Sequence, residues 1–98
     1  MITTKQRAYL RGMANSYDTI LIVGKGGMTD TVVKQADEAL GVREMIKLRV
    51  LETAGVTARE AAQEIAEETG ADVVQVIGTR FVLFRQNADP AKRSIFPD

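Results

Sequence analysis

The hydrophobic pattern switches back and forth between a helical and a strand period. Leu10, Met13 and Ala14 form a helical stripe behind Thr3 or Thr4, either of which can cap it, and Gln6 is placed to complete a capping box from Thr3. Asn15 and Ser16 end that element. Thr19-Ile20-Leu21-Ile22-Val23 is a continuous aliphatic run that predicts a buried strand, broken by Gly24-Lys25-Gly26-Gly27. Thr29 and Asp30 then open a second helix, a capping residue followed by a carboxylate at the positive end of the dipole. Val32, Val33, Ala36 and Leu40 share one face of it, and Gly41 is the expected stop.

From Met45 to Leu51 the pattern alternates. Ile46, Leu48 and Val50 point one way and Lys47 and Arg49 the other, which predicts a strand with one covered face and one open, basic face. Thr57 and Glu60 make a second capping box; Ala58, Ala61, Ala62, Ile65 and Thr69 line the inner side of the third helix, and Gly70 ends it. Residues 72–77 and 80–85 are two β-rich runs joined by Gly78-Thr79, with glycine first as a type II′ hairpin requires. The order α-β-α-β-α-β-β predicts an α/β fold: a single compact domain with a four-stranded mixed sheet packed by helices. Residues 1–86 form that domain in this reading, and 87–98 an extended or frayed C-terminal tail.

Composition narrows the chemistry. The 98 residues include no Cys and no His, which removes disulfides, thiol nucleophiles, the usual zinc sites and every His-based catalytic arrangement. No metal, no cofactor and no small-molecule substrate are expected. The apolar stretches are too short for a membrane span and the N-terminus lacks a signal-peptide core, so the expectation is a cytoplasmic protein without membrane contact. Net charge is zero, yet residues 1–50 carry eight Lys/Arg against five Asp/Glu, and residues 51–98 five against eight. That asymmetry predicts one basic and one acidic surface.

Three readings of Gly24-Lys25-Gly26-Gly27 compete. One is a tight strand-to-helix turn in which glycines supply positive φ. A nucleotide cradle fails on spacing: no Gly-Lys-Ser/Thr follows, and Thr29 stands where a dinucleotide fingerprint needs its third glycine, although Glu44 lies about where a ribose-binding acid would. The third is a Gly-x-x-Gly clamp on a nucleic-acid backbone, with Lys25 as a mobile cation at its tip. Candidate companions are Arg7 and Arg11 on the first helix, Lys47 and Arg49 on the open strand face, and Arg80 at the hairpin. For an isolated Lys or Arg a solvated charge is the ordinary explanation, but Lys47 and Arg49 on one strand face repel unless something anionic or solvent relieves them. Glu60, Glu64, Glu67 and Glu68 read as a solvated helix face.

An ordered set of segments resembles the YhbY-type CRM domain, the chloroplast RNA splicing and ribosome maturation family. The set runs from Thr4-Lys5-Gln6-Arg7 and Leu10-Arg11 through Gly24-Lys25-Gly26-Gly27-Met28-Thr29 and Ile46-Lys47-Leu48-Arg49-Val50. It ends with Glu68-Thr69-Gly70-Ala71, Gln75-Val76-Ile77-Gly78 and Leu83-Phe84-Arg85. The resemblance implies a fold similar to the C-terminal domain of translation initiation factor 3, and RNA binding through the Gly-x-x-Gly loop. The implied site is Gly24, Lys25, Gly26 and Gly27, followed by Lys5, Arg7, Arg11, Lys47, Arg49 and Arg80. Stand-alone bacterial members are associated with large-subunit ribosomal precursors, which makes ribosomal RNA the implied partner and ribosome assembly, not catalysis, the implied role. The chain departs from the pattern in its neutral charge and in Phe84, where relatives often have Tyr. The neutral charge and acidic third helix leave an alternative: a protein-interaction module of the same fold that has lost RNA binding.

Overall fold

The computed structural model describes residues 2–96. Each α-helix starts at a side-chain cap. In α1 (Thr4–Ala14), Thr3 Oγ1 accepts from the Gln6 amide at 3.1 Å while the Thr3 amide donates to Gln6 Oε1 at 2.9 Å. Thr57 and Glu60 repeat the device for α3 (Ala58–Thr69), at 3.1 and 2.8 Å. In α2 (Asp30–Arg43), Thr29 Oγ1 accepts from the Val32 amide at 3.2 Å. Each cap contributes about 1 kcal/mol, so helix starts are decided within four residues of sequence.

The strands β1 (Thr19–Val23), β2 (Met45–Val50), β3 (Asp72–Ile77) and β4 (Arg80–Phe84) form one sheet in the order β1-β2-β4-β3. β1 and β2 are parallel, as the crossover through α2 requires, and β4 is antiparallel to both its neighbours. Gly78 takes φ of 58° while Thr79 does not share a positive φ, the II′ pattern expected of this hairpin. α2 and α3 cover one face, where Val23, Ile46, Leu48, Val50, Phe81 and Leu83 are buried against Ala36, Leu40, Ala61, Ala62 and Ile65. All five residues predicted for the inner side of α3 are buried. On the opposite face Leu10 and Ala14 of α1 pack over Met45, Val74, Val82 and Phe84.

Three expectations need correction. The aliphatic run at 19–23 is not a buried strand: β1 is a sheet edge, and Ile20 and Ile22 stand exposed while Val23 is buried. Gly41 does not stop α2, which continues to Arg43; the reversal falls on Glu44, whose φ of 64° is the only positive value at a non-glycine among the described residues. Such a conformation costs on the order of 1–3 kcal/mol. Nor do residues 87–96 extend away. They fold back on the α1 side, with Phe96 in T-shaped contact with Phe84 at 5.6 Å and tilted against Tyr9 at 5.7 Å. Positions 97 and 98 of the predicted tail, like Met1, lie outside the described residues.

Glu44 is what holds that return. Its side chain is buried, Oε2 accepts from the Asn87 amide at 2.7 Å, and Oε1 accepts from the Ser94 amide and hydroxyl at 2.8 and 3.1 Å. Its carbonyl also accepts from the Arg85 amide at 2.8 Å. The Arg85 guanidinium braces α2 to α3, reaching Asp37 Oδ1 at 2.5 Å, the Asp37 carbonyl at 3.0 Å and the Thr69 carbonyl at 2.8 Å. A Glu44 carboxylate so placed belongs to the framework, not to a ribose.

Burial works to raise the Glu44 pKa, but the Ser94, Asn87 and Ile95 donors outweigh it and hold the group below its ordinary 4.5. A depressed native pKa means this contribution is complete above about 4.5 and is lost as pH falls through the native value. Thermal unfolding followed across the acid range should show a limb of falling stability that Glu44→Gln flattens. At neutral pH that substitution should cost about 1–3 kcal/mol, since one tail donor loses its charged acceptor.

Candidate functional site

The three parallel strands finish at the same end of the sheet, and backbone hydrogen bonds tie their exits together. The Leu51 amide donates to the Val23 carbonyl at 2.9 Å, and the Val50 amide to the Thr79 carbonyl at 2.7 Å. The glycine loop, the segment after β2 and the β3–β4 hairpin therefore crowd one edge of the molecule. Within the loop the Gly27 amide donates to the Gly24 carbonyl at 3.0 Å, closing a tight turn with Lys25 and Gly26 exposed at its tip. Gly27 is buried with φ of 63°, and a Cβ there would sit 2.8 Å from the Ala54 carbonyl oxygen. The turn is thus pressed against the segment after β2. Gly24 differs: its φ is ordinary and a Cβ would make only van der Waals contact, 3.7 Å from Leu51.

The loop leads into Thr29 and α2, but Asp30 already places a carboxylate at the positive end of that helix. Positive character at this edge comes instead from side chains on the sheet. Arg49 and Arg80 are direct cross-strand partners, flanked in the same row by Ile22 on β1 and Ile77 on β3. Two residues back along β2, Lys47 pairs with Val82, which pairs on its other side with Gln75. Both arginines are exposed, and Ile22 and Ile77 are 57% and 64% exposed, because α1 and the returning tail stop short of this corner. Like charges directly opposite each other destabilise a sheet, so the Arg49–Arg80 pair is a cost to folding. This corner, with exposed Lys25 at its rim, suits contact with an extended anionic chain.

The structure brings together Gly24, Lys25, Gly26, Gly27, Arg49 and Arg80 at this end, with Lys47 on the adjoining face. α1 contributes differently. Its C-terminal end approaches the corner through Asn15, which lines a shallow pocket with Lys47, Gln75, Ile77 and Arg80. Exposed Arg11 lies one turn before Asn15. Lys5 is in the first turn, about 15 Å from Asn15 along the axis at the helical rise. Arg7 is directed elsewhere: its guanidinium donates to the Val73 carbonyl of β3. It serves the edge of the sheet, a partner that spacing from Arg11 alone does not disclose.

Acidic groups gather on the other side of the molecule. A groove between α2 and α3 is lined by Asp37, Glu64 and Glu68, with Asp30 at its loop end and Lys34 among them. Among the described residues no three acidic side chains are arranged to hold a metal ion, and no helix is long and apolar enough to cross a membrane. Reading the sequence missed Ile22 and Ile77 at the site, the first because an unbroken aliphatic run conceals which members face out. The pairing of Arg49 with Arg80 appears only once the strands are in register.

The family model of the CRS1/YhbY (CRM) domain matches residues 2–85. The "Probable RNA-binding protein YqeI" of Bacillus subtilis is 36% identical over 89 residues, covering 91% of this chain and 93% of its own. An "RNA-binding protein" of Haemophilus influenzae is 32% identical over 88 residues, covering 90% and 89%. Among solved structures, that of SAV1595 from Staphylococcus aureus, described as "a putative RNA binding protein", superposes with a TM-score of 0.77 at 39% identity, covering 91% of this chain and 93% of that one. With the match extending from α1 through β4 and the glycine loop inside it, this chain belongs to the CRS1/YhbY (CRM) domain family.

Proposed function

We propose that the protein binds RNA, gripping backbone phosphates between the glycine loop and the arginine corner of the sheet. The observation that carries this reading is the direct opposition of Arg49 and Arg80 beside the loop, an arrangement that weakens the sheet and that a bound polyanion would relieve. Relatives that align over the same length carry RNA-binding names. Lys25, Lys47, Arg49 and Arg80 make the primary contacts, the backbone at Gly24, Gly26 and Gly27 permits close approach, and Arg11 extends the surface. Lys5 and Arg7 are peripheral. The protein works in the cytoplasm as a ribosome-assembly factor on large-subunit ribosomal RNA precursors, holding an RNA conformation and performing no chemistry. The ribosomal setting rests on the resemblance to the family's stand-alone bacterial members. A second reading, a protein-interaction module, draws on the acidic α2–α3 groove; recovery of a specific partner that survives nuclease treatment would favour it.

Binding of large-subunit ribosomal RNA fragments across a salt series tests the RNA reading. Lys25→Glu and Arg49→Glu should weaken binding and make the salt dependence shallower. Arg7→Glu should leave the salt slope nearly unchanged. Arg80→Thr should weaken binding and reduce the slope by about one, yet stabilise the fold by roughly 0.2–1 kcal/mol by relieving the pair. Undiminished binding by both Lys25→Glu and Arg49→Glu would place the site elsewhere.

The two ends of the glycine loop separate folding from ligand approach. Gly27→Ala meets both a backbone oxygen and a left-handed φ, so chemical denaturation should show a loss of at least about 1–3 kcal/mol. Gly24→Ala should fold with near-native stability but bind RNA more weakly, because its methyl group stands where a phosphate must come close. Equal affinity for wild type and Gly24→Ala would remove Gly24 from the interface.

A further inference from the structure

A second feature opens beside Lys47. A groove of about 510 Å³ lies between the β1 edge, the end of α2 and the returned tail. Tyr17, Ile20 and Val42 give it apolar walls, and Lys47, Arg43 and Asp18 its polar groups. Val42 is 83% exposed in the last turn of α2, the most exposed large apolar side chain among the described residues, and Ile20 is 37% exposed. Neither contributes to the core in proportion to its size. Lys47 belongs both to this groove and to the basic face, and stands two residues from Arg49 along β2, roughly 7 Å at strand spacing. The groove is therefore continuous with the arginine corner.

We propose that this groove receives one unpaired nucleotide of the RNA, a reading that rests on RNA binding at the adjoining corner. An aromatic ring and two aliphatic side chains match the flat, weakly polar face of a nucleobase, and the two cations match its phosphate. Asp18 supplies an acceptor for an exocyclic amino group. A base held in a duplex cannot enter, because its faces are stacked and its pairing edge is occupied. The groove thus selects a loop, bulge or single strand, while the glycine loop and arginines grip backbone without regard to pairing.

Affinities for a short mixed-sequence RNA, as a single strand and as the duplex with its complement, provide the test. Wild type is compared with Val42→Ser and with Ile20→Ser/Val42→Ser. Both changes are neutral in charge, and Val42 is exposed enough for the single variant to fold normally. The expected result is tighter binding of the single strand by wild type. The double variant loses about tenfold of that affinity, the single variant part of it, with duplex affinity and salt slopes unchanged. Wild-type binding that ignores pairing, or variants that bind the single strand as wild type does, overturns the groove assignment and leaves the phosphate surface standing. Failure of wild type to bind either RNA overturns both.

Discussion

A four-stranded sheet has two faces to cover, and this chain supplies helices for one and part of the other. α2 and α3 close the first face with small residues that let α3 approach the strands. The eleven residues of α1 reach only part of the second, over Met45, Val74, Val82 and Phe84. Side-chain chemistry along β2 changes where that cover ends: Met45 is buried beneath it, Lys47 half-buried, Arg49 exposed. On β4, Phe84 and Val82 give way to Arg80 in the same manner. The basic corner is thus a consequence of incomplete coverage, since cations are tolerated on a sheet only where their heads remain in water.

A further part of that face, beside Phe84, is covered by the chain's own C-terminal return, and this puts a large demand on Glu44. A helix ending in glycine could reverse without strain, but glycine offers no carboxylate. Glu44 takes the left-handed conformation and uses its side chain to bind donors at Asn87 and Ser94. The conformational cost and the buried charge are offset by the charge-assisted hydrogen bonds that both make possible. The returned segment also forms one wall of the groove beside Lys47, so a framework device shapes the candidate interface.

What was legible in the sequence is what is decided locally. Thr3 with Gln6 and Thr57 with Glu60 locate helix starts because both partners lie within one turn. The alternation of Ile46, Leu48 and Val50 against Lys47 and Arg49 reports the two faces of β2 directly. What the sequence does not disclose involves distant partners. Arg7 finds Val73 across 66 positions, and Glu44 finds Asn87 and Ser94 across 43 and 50. The aliphatic run of β1 is compatible with a central or an edge strand, and only the sheet order decides between them. For the candidate site, the sequence offers Lys25, Arg49 and Arg80 as separate basic positions, whereas their placement at one end depends on register and on three parallel strand exits.

A net charge of zero bears little on whether one face attracts an anion. The described molecule measures 41 × 23 × 21 Å, whereas charges in physiological salt are screened over about 8 Å. Asp37, Glu64 and Glu68 of the α2–α3 groove lie beyond the sheet from Arg49 and Arg80, so at that ionic strength they reduce the potential felt at the corner less than charges on its own face do. They matter more at long range, where both faces are sensed together and the sum is what a distant polyanion meets. In the proposed reading, RNA binding gains little from electrostatic steering and most of its discrimination from contact, once the loop and the sheet corner lie against the RNA. On that proposal, neutrality bears on how an RNA is approached, and the placement of charge by the sheet on how it is held.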